Sequence, residues 1–422
     1  MKKLLISLFA VVLLAGCCSV QSERQCERKC TSQGEKSCQI VDSGTTFAKE
    51  TFQQYIDSGE IPGVVCVFYD NGVQETACLG YADFRDKRPI TMDDVFQQCS
   101  QTKGFCGVTI AMLVEEGKLS LDDPVSKYLP EYKELWIQEN NEDGSRKLVK
   151  AKNTLTVRMC LNHTGGFGFE LPNWTNMGGW SRRMPLRSVA AMAAAFPLRF
   201  EPGTQAQYSN VGIDVGAAIV EVVSGQRWEQ FLQERIFDPL GMTSSTFWPT
   251  DEQLARKVEI FRYHQGEPAT WEKQDNAMQQ PYNDDRVFPS AGAGLWTNVR
   301  DQLKFYKMLM NLGLGDNGVR ILKEETVKSI LAVTTRPEGM DGYSLGLFAP
   351  VVDGEAEWFG HGGAWNTKCF INWHRHQLKL LAVQAVGGGS SIVVNLYNQA
   401  ADKFFKSEAG KKSEDAYTGR MN

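Results

Sequence analysis

The sequence predicts an α/β protein of the α+β kind, with one antiparallel sheet accompanied by helices. Three observations predict it. Near the front, residues 64–69 and 73–79 are β-rich runs joined through Asn71-Gly72, a strong hairpin signal. Near the end, residues 369–373 and 378–386 are two further β-rich runs around a polar turn at 374–377. Between them, apolar residues recur at three- and four-residue intervals in segments long enough for helices.

The whole chain sets the outer limits. Its 422 residues, 42% hydrophobic, suffice for one catalytic unit with a substantial insertion. A net charge of −5 gives no electrostatic footprint for nucleic acid. At the N-terminus Lys2 and Lys3 precede an apolar run over 4–14, the form of a secretory signal and too short for a spanning helix. Leu14-Ala15-Gly16-Cys17 resembles the bacterial lipobox. That resemblance implies removal of residues 1–16 and lipidation of Cys17, which would hold the protein at the bacterial cell envelope facing the periplasm or the exterior. Residues 17–44 are polar and read as a flexible tether. Cys26, Cys30 and Cys38 lie in it, with no pairing determined by spacing and no fourth ligand nearby to make a zinc site. Cys66 and Cys78 flank the hairpin turn and are candidates to face each other across it; the other cysteines read as small buried apolar residues.

The elements follow in order. Phe47, Thr51, Phe52, Tyr55 and Ile56 form a helical stripe that ends before Gly59 and Pro62. After the hairpin, Ser100-Gln101-Thr102-Lys103 runs into Phe105, Val108, Thr109, Met112 and Leu113, one buried face of a helix ending near Gly117. Ser100 therefore sits at a helix N-terminus, where unpaired N–H groups favour developing negative charge. Lys103 lies one turn on, so its amine reaches the same face, a nucleophile with a base beside it. Residues 133–152 are polar and read as a surface excursion. His163, in Leu161-Asn162-His163-Thr164-Gly165-Gly166, is expected to brace its loop by hydrogen bonding rather than to act as ligand or base. Phe167, Phe169, Trp174 and Trp180 make the next loop aromatic, as a pocket wall or as packing over the core. Gln207-Tyr208-Ser209-Asn210 then precedes a strongly apolar helix over 211–223, which places Tyr208 on a short loop between rigid elements. Trp228, Phe231, Leu232, Ile236 and Phe237 form the next apolar face. Ser290-Ala291-Gly292-Ala293-Gly294 is a small-residue turn before an amphipathic helix carrying Leu303, Phe305, Tyr306 and Leu309. Residues 343–348 read as a strand, followed by His361-Gly362-Gly363-Ala364. His374 and His376 sit at a turn and read as solvated. The catalytic domain is expected over 45–400, with a fraying polar tail over 401–422.

Taken together, Ser100-x-x-Lys103, Tyr208-x-Asn210 and His361-Gly362-Gly363 resemble the three motifs of the serine β-lactamase and penicillin-binding protein superfamily. They look most like its branch containing class C β-lactamases, D-aminopeptidases, DD-carboxypeptidases and related esterases. VEEGKLSLDDPVSKYLPEY, LTVRMCLNHTGG, FEPGTQAQYSN and SAGAGLWTNVRDQLKFYKML are similar to family segments in the same order, so the resemblance covers residues 47–395. It implies an antiparallel sheet with helices on both faces, a mainly helical subdomain inserted after the catalytic helix, and a site in the groove between them. It further implies Ser100 as nucleophile, Lys103 and Tyr208 as the proton-handling pair in either order, and Asn210 bonded to Lys103 and to substrate. The oxyanion would be met by the backbone N–H groups of Ser100 and Ala364.

The third motif departs from the Lys-Thr-Gly of many β-lactamases. Histidine carries little charge near neutral pH, and Gly362 offers no hydroxyl, so recognition of a β-lactam carboxylate is weakened. Gly362 and Gly363 would also admit a bulkier acyl group. The expected function is an exported serine hydrolase acting on a small ester or D-amino-acid peptide through an acyl-enzyme. The alternatives are hydrolysis of β-lactam antibiotics and non-catalytic binding of cell-wall peptides. The chemistry calls for no metal or organic cofactor, and the expected partners are the small-molecule substrate and the membrane met by the lipid, with no nucleic acid.

Overall fold

The computed structural model describes residues 39–40, 46–172, 183–272, 287–332, 342–352, 355–387 and 390–407. Strand β1 (Gln39–Ile40) precedes helix α1 (Phe47–Asp57), whose N-terminus is capped by the Thr46 side chain accepting from the Lys49 N–H at 3.0 Å. The hairpin follows as β2 (Gly63–Asp70) and β3 (Val73–Asp83). Next come β4 (Arg88–Pro89), β5 (Val95–Gln97) and α2 (Thr102–Glu115). A surface hairpin, β6 (Trp136–Asn140) and β7 (Arg146–Lys150), leads to α3 (Val157–Leu161), α4 (Leu186–Ala193), α5 (Asn210–Ser224) and α6 (Trp228–Leu232). The chain returns through β8 (Trp296–Asn298), α7 (Val299–Met310) and α8 (Glu324–Ile330). It ends with β9 (Phe359–Gly362), β10 (Lys368–Asn372), β11 (Gln377–Ala382) and α9 (Ser391–Lys406).

The main sheet runs β1-β3-β2-β11-β10-β9, so the first hairpin and the last strands meet at β2 and β11. That junction is antiparallel, with Val67 opposite Leu380. Alternation along β2 divides the interior into two layers. Val64, Cys66 and Phe68 face a core completed by Phe52 of α1 and by Val393, Tyr397 and Phe404 of α9. Val65 and Val67 face the larger core, which holds α2, α5 and α7. The sheet thus carries helices on both faces, as the resemblance implied. In the larger core Phe105 stacks on Phe305 at 3.7 Å between ring centroids. Withdrawal of each such side chain from water contributes about 1.5–3 kcal/mol.

Several local expectations are corrected. Helix α2 does not bury one face: every residue from Thr102 to Leu113 is buried, because β9, α5, α6, α7, α8 and the 343–348 segment enclose it. Gly107 permits that enclosure, since a Cβ there would lie 2.0 Å from the Leu345 carbonyl oxygen. The 343–348 segment is not a strand but a turn closed by a Tyr343–Phe348 bridge around Gly346, whose φ is +81°. Cys66 and Cys78 do not face each other, because the register sets Cys66 opposite Ala77 and Cys78 opposite Val65, on different faces; both thiols are free. The chain does not turn polar at 401, since α9 runs to Lys406 and buries Ala401 and Phe404. His376 also differs from its reading as a solvated turn residue: it is half-buried and its Nε2 meets Asn311 Oδ1 at 2.6 Å. At the front, Gln39 and Ile40 of the expected tether pair in parallel with Val73 and Gln74. Cys17, Trp174, Trp180 and the residues beyond 407 lie outside the described residues.

Candidate active site

Strand β5 pairs with β8, Phe96 opposite Thr297, and delivers the chain to a 3₁₀ turn, Cys99–Gln101, that leads directly into α2. Cys99 has φ +47°, an uncommon conformation for a side-chain-bearing residue, and it holds Ser100 half-exposed on the outer side of the turn. Thr102 locks this bend: its hydroxyl donates to the Cys99 carbonyl at 2.6 Å and accepts from the Leu295 N–H at 3.2 Å. The same contact ties the small-residue turn at 290–294 to the start of α2.

Lys103 is buried, and among the described residues no carboxylate touches it directly. Its Nζ donates to Ser100 Oγ at 3.1 Å, Asn210 Oδ1 at 2.5 Å and the Gly292 carbonyl at 2.7 Å, and lies 4.7 Å from the centre of the Tyr208 ring. Three donors meet three oxygens, which satisfies an ammonium completely. Burial nonetheless pulls the Lys103 pKa down to about 7, against the opposing pull of Asp214 and Glu170. The amine therefore gives up its proton near neutral pH. Its free lone pair is then directed at the nearest hydroxyl, that of Ser100.

Three residues that sequence reasoning did not single out complete this network. Asn210 passes the contact on, its Nδ2 donating to Glu170 Oε1 at 2.5 Å. The Gly292 peptide does the same on the other side: its carbonyl accepts from Lys103 while its N–H donates to Asp214 Oδ1 at 3.1 Å. Burial raises the pKa of both carboxyls, most strongly that of Asp214, which also feels Glu170. They line a shared space of about 10 Å³, about one water in size. A signal for Asp214 was present, a carboxylate inside the otherwise apolar VGIDVGAAIV. Gly292 is required because a Cβ there would lie 2.8 Å from Asn210 Cβ.

Tyr208 closes the site from the loop before α5, which starts where the Ser209 hydroxyl accepts from the Gly212 N–H at 3.0 Å. Burial raises the Tyr208 pKa, a bond to Ser100 opposing it, so the phenol keeps its proton. His163, at φ +67°, packs against the Tyr208 ring at 4.5 Å between centroids, and its Nδ1 accepts from the Ser209 N–H at 3.2 Å. It braces the loop, as expected for a histidine before a glycine turn. His361 Nε2 lies 3.0 Å from the Tyr343 hydroxyl and 3.3 Å from that of Tyr208, while its Nδ1 meets the Gly362 carbonyl at 2.6 Å. The carbonyl can only accept, which assigns the proton to Nδ1 and leaves Nε2 as acceptor for the two phenols. Burial, then Lys103, hold His361 well below the usual histidine range.

Ser100, Lys103, Tyr208, Asn210 and His361 are thus brought together from three separate stretches of chain. The rest of the third motif behaves differently from expectation. A Cβ on Gly363 would lie 2.4 Å from both the Gln98 carbonyl oxygen and Thr367 Oγ1, and one on Gly362 would lie 3.2 Å from Lys368 Nζ. Protein atoms fill the room that these glycines were expected to leave for an acyl group. The Ala364 N–H, together with that of Trp365, faces the Cys99 sulfur, whose pKa burial pushes up to about 12. Asn210 Nδ2, expected to meet substrate, is taken by Glu170.

Known proteins share this arrangement of elements. The chain is 33% identical over 226 residues to lovastatin esterase of Penicillium rubens, covering 50% of this chain and 55% of that protein. It is 28% identical over 284 residues to the esterase EstB of Burkholderia gladioli, covering 60% of this chain and 67% of that one. Simvastatin synthase (LovD) of Aspergillus terreus superposes with a TM-score of 0.68 at 20% identity, covering 85% of this chain and 98% of that structure, which shows a common fold. The family model described as Beta-lactamase matches residues 48–406, a span that runs from the first turn of α1 to the end of α9 and includes all five converging side chains. A match of that extent, over a sheet and motifs in the family's order, means that the chain belongs to the beta-lactamase family of serine hydrolases.

Proposed function

We propose that the protein is an exported hydrolase, lipid-anchored through Cys17 at a bacterial cell envelope, that cleaves a carboxylic ester or D-amino-acid peptide through an acyl-enzyme on Ser100. The observation that carries the chemistry is the Lys103 amine, buried, discharged near neutral pH and 3.1 Å from Ser100 Oγ. The neutral amine takes the Ser100 proton as Oγ bonds to the acyl carbon. Tyr208, protonated and in reach of Ser100, supplies a proton to the departing alcohol or amine and recovers it from Lys103. Water then attacks the acyl-enzyme, Lys103 accepts its proton, and the acid leaves with Ser100 restored. The N-terminal end of α2, with the Ser100 N–H, supports the oxyanion; the Ala364 N–H joins it only by turning from the Cys99 sulfur.

Esters rank first among substrates because two matched relatives are named as esterases. β-Lactams rank below them because the third-motif strand presents a neutral imidazole where a carboxylate needs a cation. The test is a panel of p-nitrophenyl esters, D-Ala-D-Ala peptides and nitrocefin, with fluorophosphonate labelling and Ser100→Ala as control. Label and ester turnover should both vanish in that variant. Equal labelling without Ser100 would overturn the nucleophile, and nitrocefin turnover matching that of esters would reverse the substrate order. Retention of cell-wall peptide with no covalent adduct would instead mark a binding protein. Export is checked by globomycin, which should leave an uncut precursor in the envelope fraction; a Cys17→Ala protein processed like wild type would refute the anchor.

A further inference from the structure

Two phenylalanines of the aromatic loop after His163 have different surroundings. Phe167 is 5% exposed and packs edge-on to Tyr132 in the larger core, with 6.2 Å between ring centroids. Phe169, two residues on, is 52% exposed. Single exposed apolar side chains are ordinary on protein surfaces, so the exposure by itself carries no meaning. Its place does. The Phe169 ring lies near-parallel to that of Tyr208, with 22° between planes and 6.1 Å between centroids. Tyr208 is the phenol in reach of Ser100, and the centre of its ring is 4.7 Å from Lys103 Nζ.

Three consecutive residues hold Phe169 in that place. The Gly168 carbonyl accepts from the Ser209 hydroxyl at 2.8 Å, the Phe169 carbonyl from the Asn210 N–H at 2.9 Å, and the Glu170 carboxyl from Asn210 Nδ2. The ring is therefore fixed beside Tyr208 while half of its surface stays open to solvent. Phe348 extends the same surface. It is half-buried, its ring lies 7° from the Tyr208 plane at 6.0 Å, and its N–H and carbonyl both bond Gly360 of β9. It stands at the hydroxyl end of Tyr208: its ring is 4.6 Å from that of His361, whose Nε2 is 3.3 Å from the Tyr208 hydroxyl.

We infer that Phe169, with Tyr208 and Phe348, forms a stacking surface for a flat apolar ring carried on the leaving group of the substrate, which makes Phe169 a specificity-determining residue. The inference rests on the hydrolase reading, in which Tyr208 gives its proton to the departing atom. That atom must then lie within hydrogen-bond reach of the Tyr208 hydroxyl, so a group it carries one or two bonds further on meets the rings beside Tyr208. Near-parallel rings favour an offset-stacked flat ring over a puckered one of equal size. The polar groups next to the surface are already engaged, the Glu170 carboxyl with Asn210 and His361 Nε2 with the two phenols. An aromatic alcohol or amine is the leaving group that fits.

Two matched pairs of esters test it. Wild-type kcat/KM for benzyl acetate is compared with that for cyclohexylmethyl acetate, each divided by the ester's own rate of hydroxide-catalysed hydrolysis. The flat ring is expected to be favoured about threefold to tenfold. Phe169→Leu, which keeps an apolar side chain without a ring, should bring the ratio close to one, while Phe169→Tyr should retain it. Methyl phenylacetate and methyl cyclohexylacetate move the same two rings to the acyl side, where no such preference is expected. Where the esters are cleaved, a wild-type ratio close to one or an equal preference in the acyl pair overturns the inference. So does a ratio that survives Phe169→Leu while both acetates slow equally, which would assign Phe169 a structural role. If none of the esters is cleaved, saturation-transfer NMR of benzyl alcohol against cyclohexylmethanol reads the surface without catalysis. A preference for the flat ring that Phe169→Leu removes would then sink the hydrolase reading and keep the stacking surface; no preference would overturn both.

Discussion

Lys103 at the start of α2 and His361 on β9 approach Tyr208 from different parts of the chain, and both place a titratable nitrogen in a buried position. Their surroundings treat that nitrogen differently. Lys103 is met by three oxygens, with Asp214 and Glu170 behind two of them, so burial lowers its pKa only to about 7. His361 is met by phenols and one carbonyl, and its charged neighbours are Lys103 and Lys368, both of the same sign as imidazolium. One nitrogen changes charge in the working range and the other stays neutral. Burial alone does not determine a catalytic group's behaviour; the sign of the charges around it does.

The largest expected effect separates the two nitrogens outright. Lys103→Ala should lower ester kcat/KM by about 10²–10⁴-fold, the range for loss of a positioned general base, while circular dichroism shows the fold retained. A loss below tenfold would assign proton transfer elsewhere. Gly292→Ala tests the scaffold on the lysine side, since its Cβ must push aside Asn210. We expect kcat/KM to fall by about tenfold to a hundredfold, with about 1–3 kcal/mol lost in urea unfolding.

The histidine side should respond more weakly. His361→Leu removes an acceptor from two tyrosines and should cost about tenfold in kcat, with the acid limb of the pH profile left where it was. A limb that vanished with His361 would break the comparison. The smallest change sharpens it. With Lys103 as base, kcat/KM rises with pH through a limb near 7 as the ammonium loses its proton. The Asp214 charge favours that ammonium, so Asp214→Asn should move the limb to lower pH, and a pH–rate profile reads the shift directly. Movement to higher pH would mean that Asp214 does not act through charge on Lys103.

Much of this molecule was legible before its structure. The hairpin at Asn71-Gly72, the helices and the three motifs are local statements, carried by turn chemistry and by apolar periods of two or three to four residues. Even the division of the interior into two layers is written in the alternation of Val64 to Phe68, once one knows that both faces of the sheet are covered. Asp214 was visible as an oddity in an apolar helix without any indication of what it served.

The sequence by itself determined which residues are available for acyl transfer: a serine at a helix start, a lysine one turn later, a tyrosine loop and a histidine-glycine strand. Only the tertiary structure decided what those residues are able to do. It turned Gly363 toward Gln98 instead of a substrate, gave the Asn210 amide to Glu170, and set the Lys103 proton near release by enclosing α2 on every side. The physical reason is that a side chain's identity is local, whereas its desolvation, its hydrogen-bond partners and the charges it feels come from residues far away in sequence, 189 positions in the case of Lys103 and Gly292.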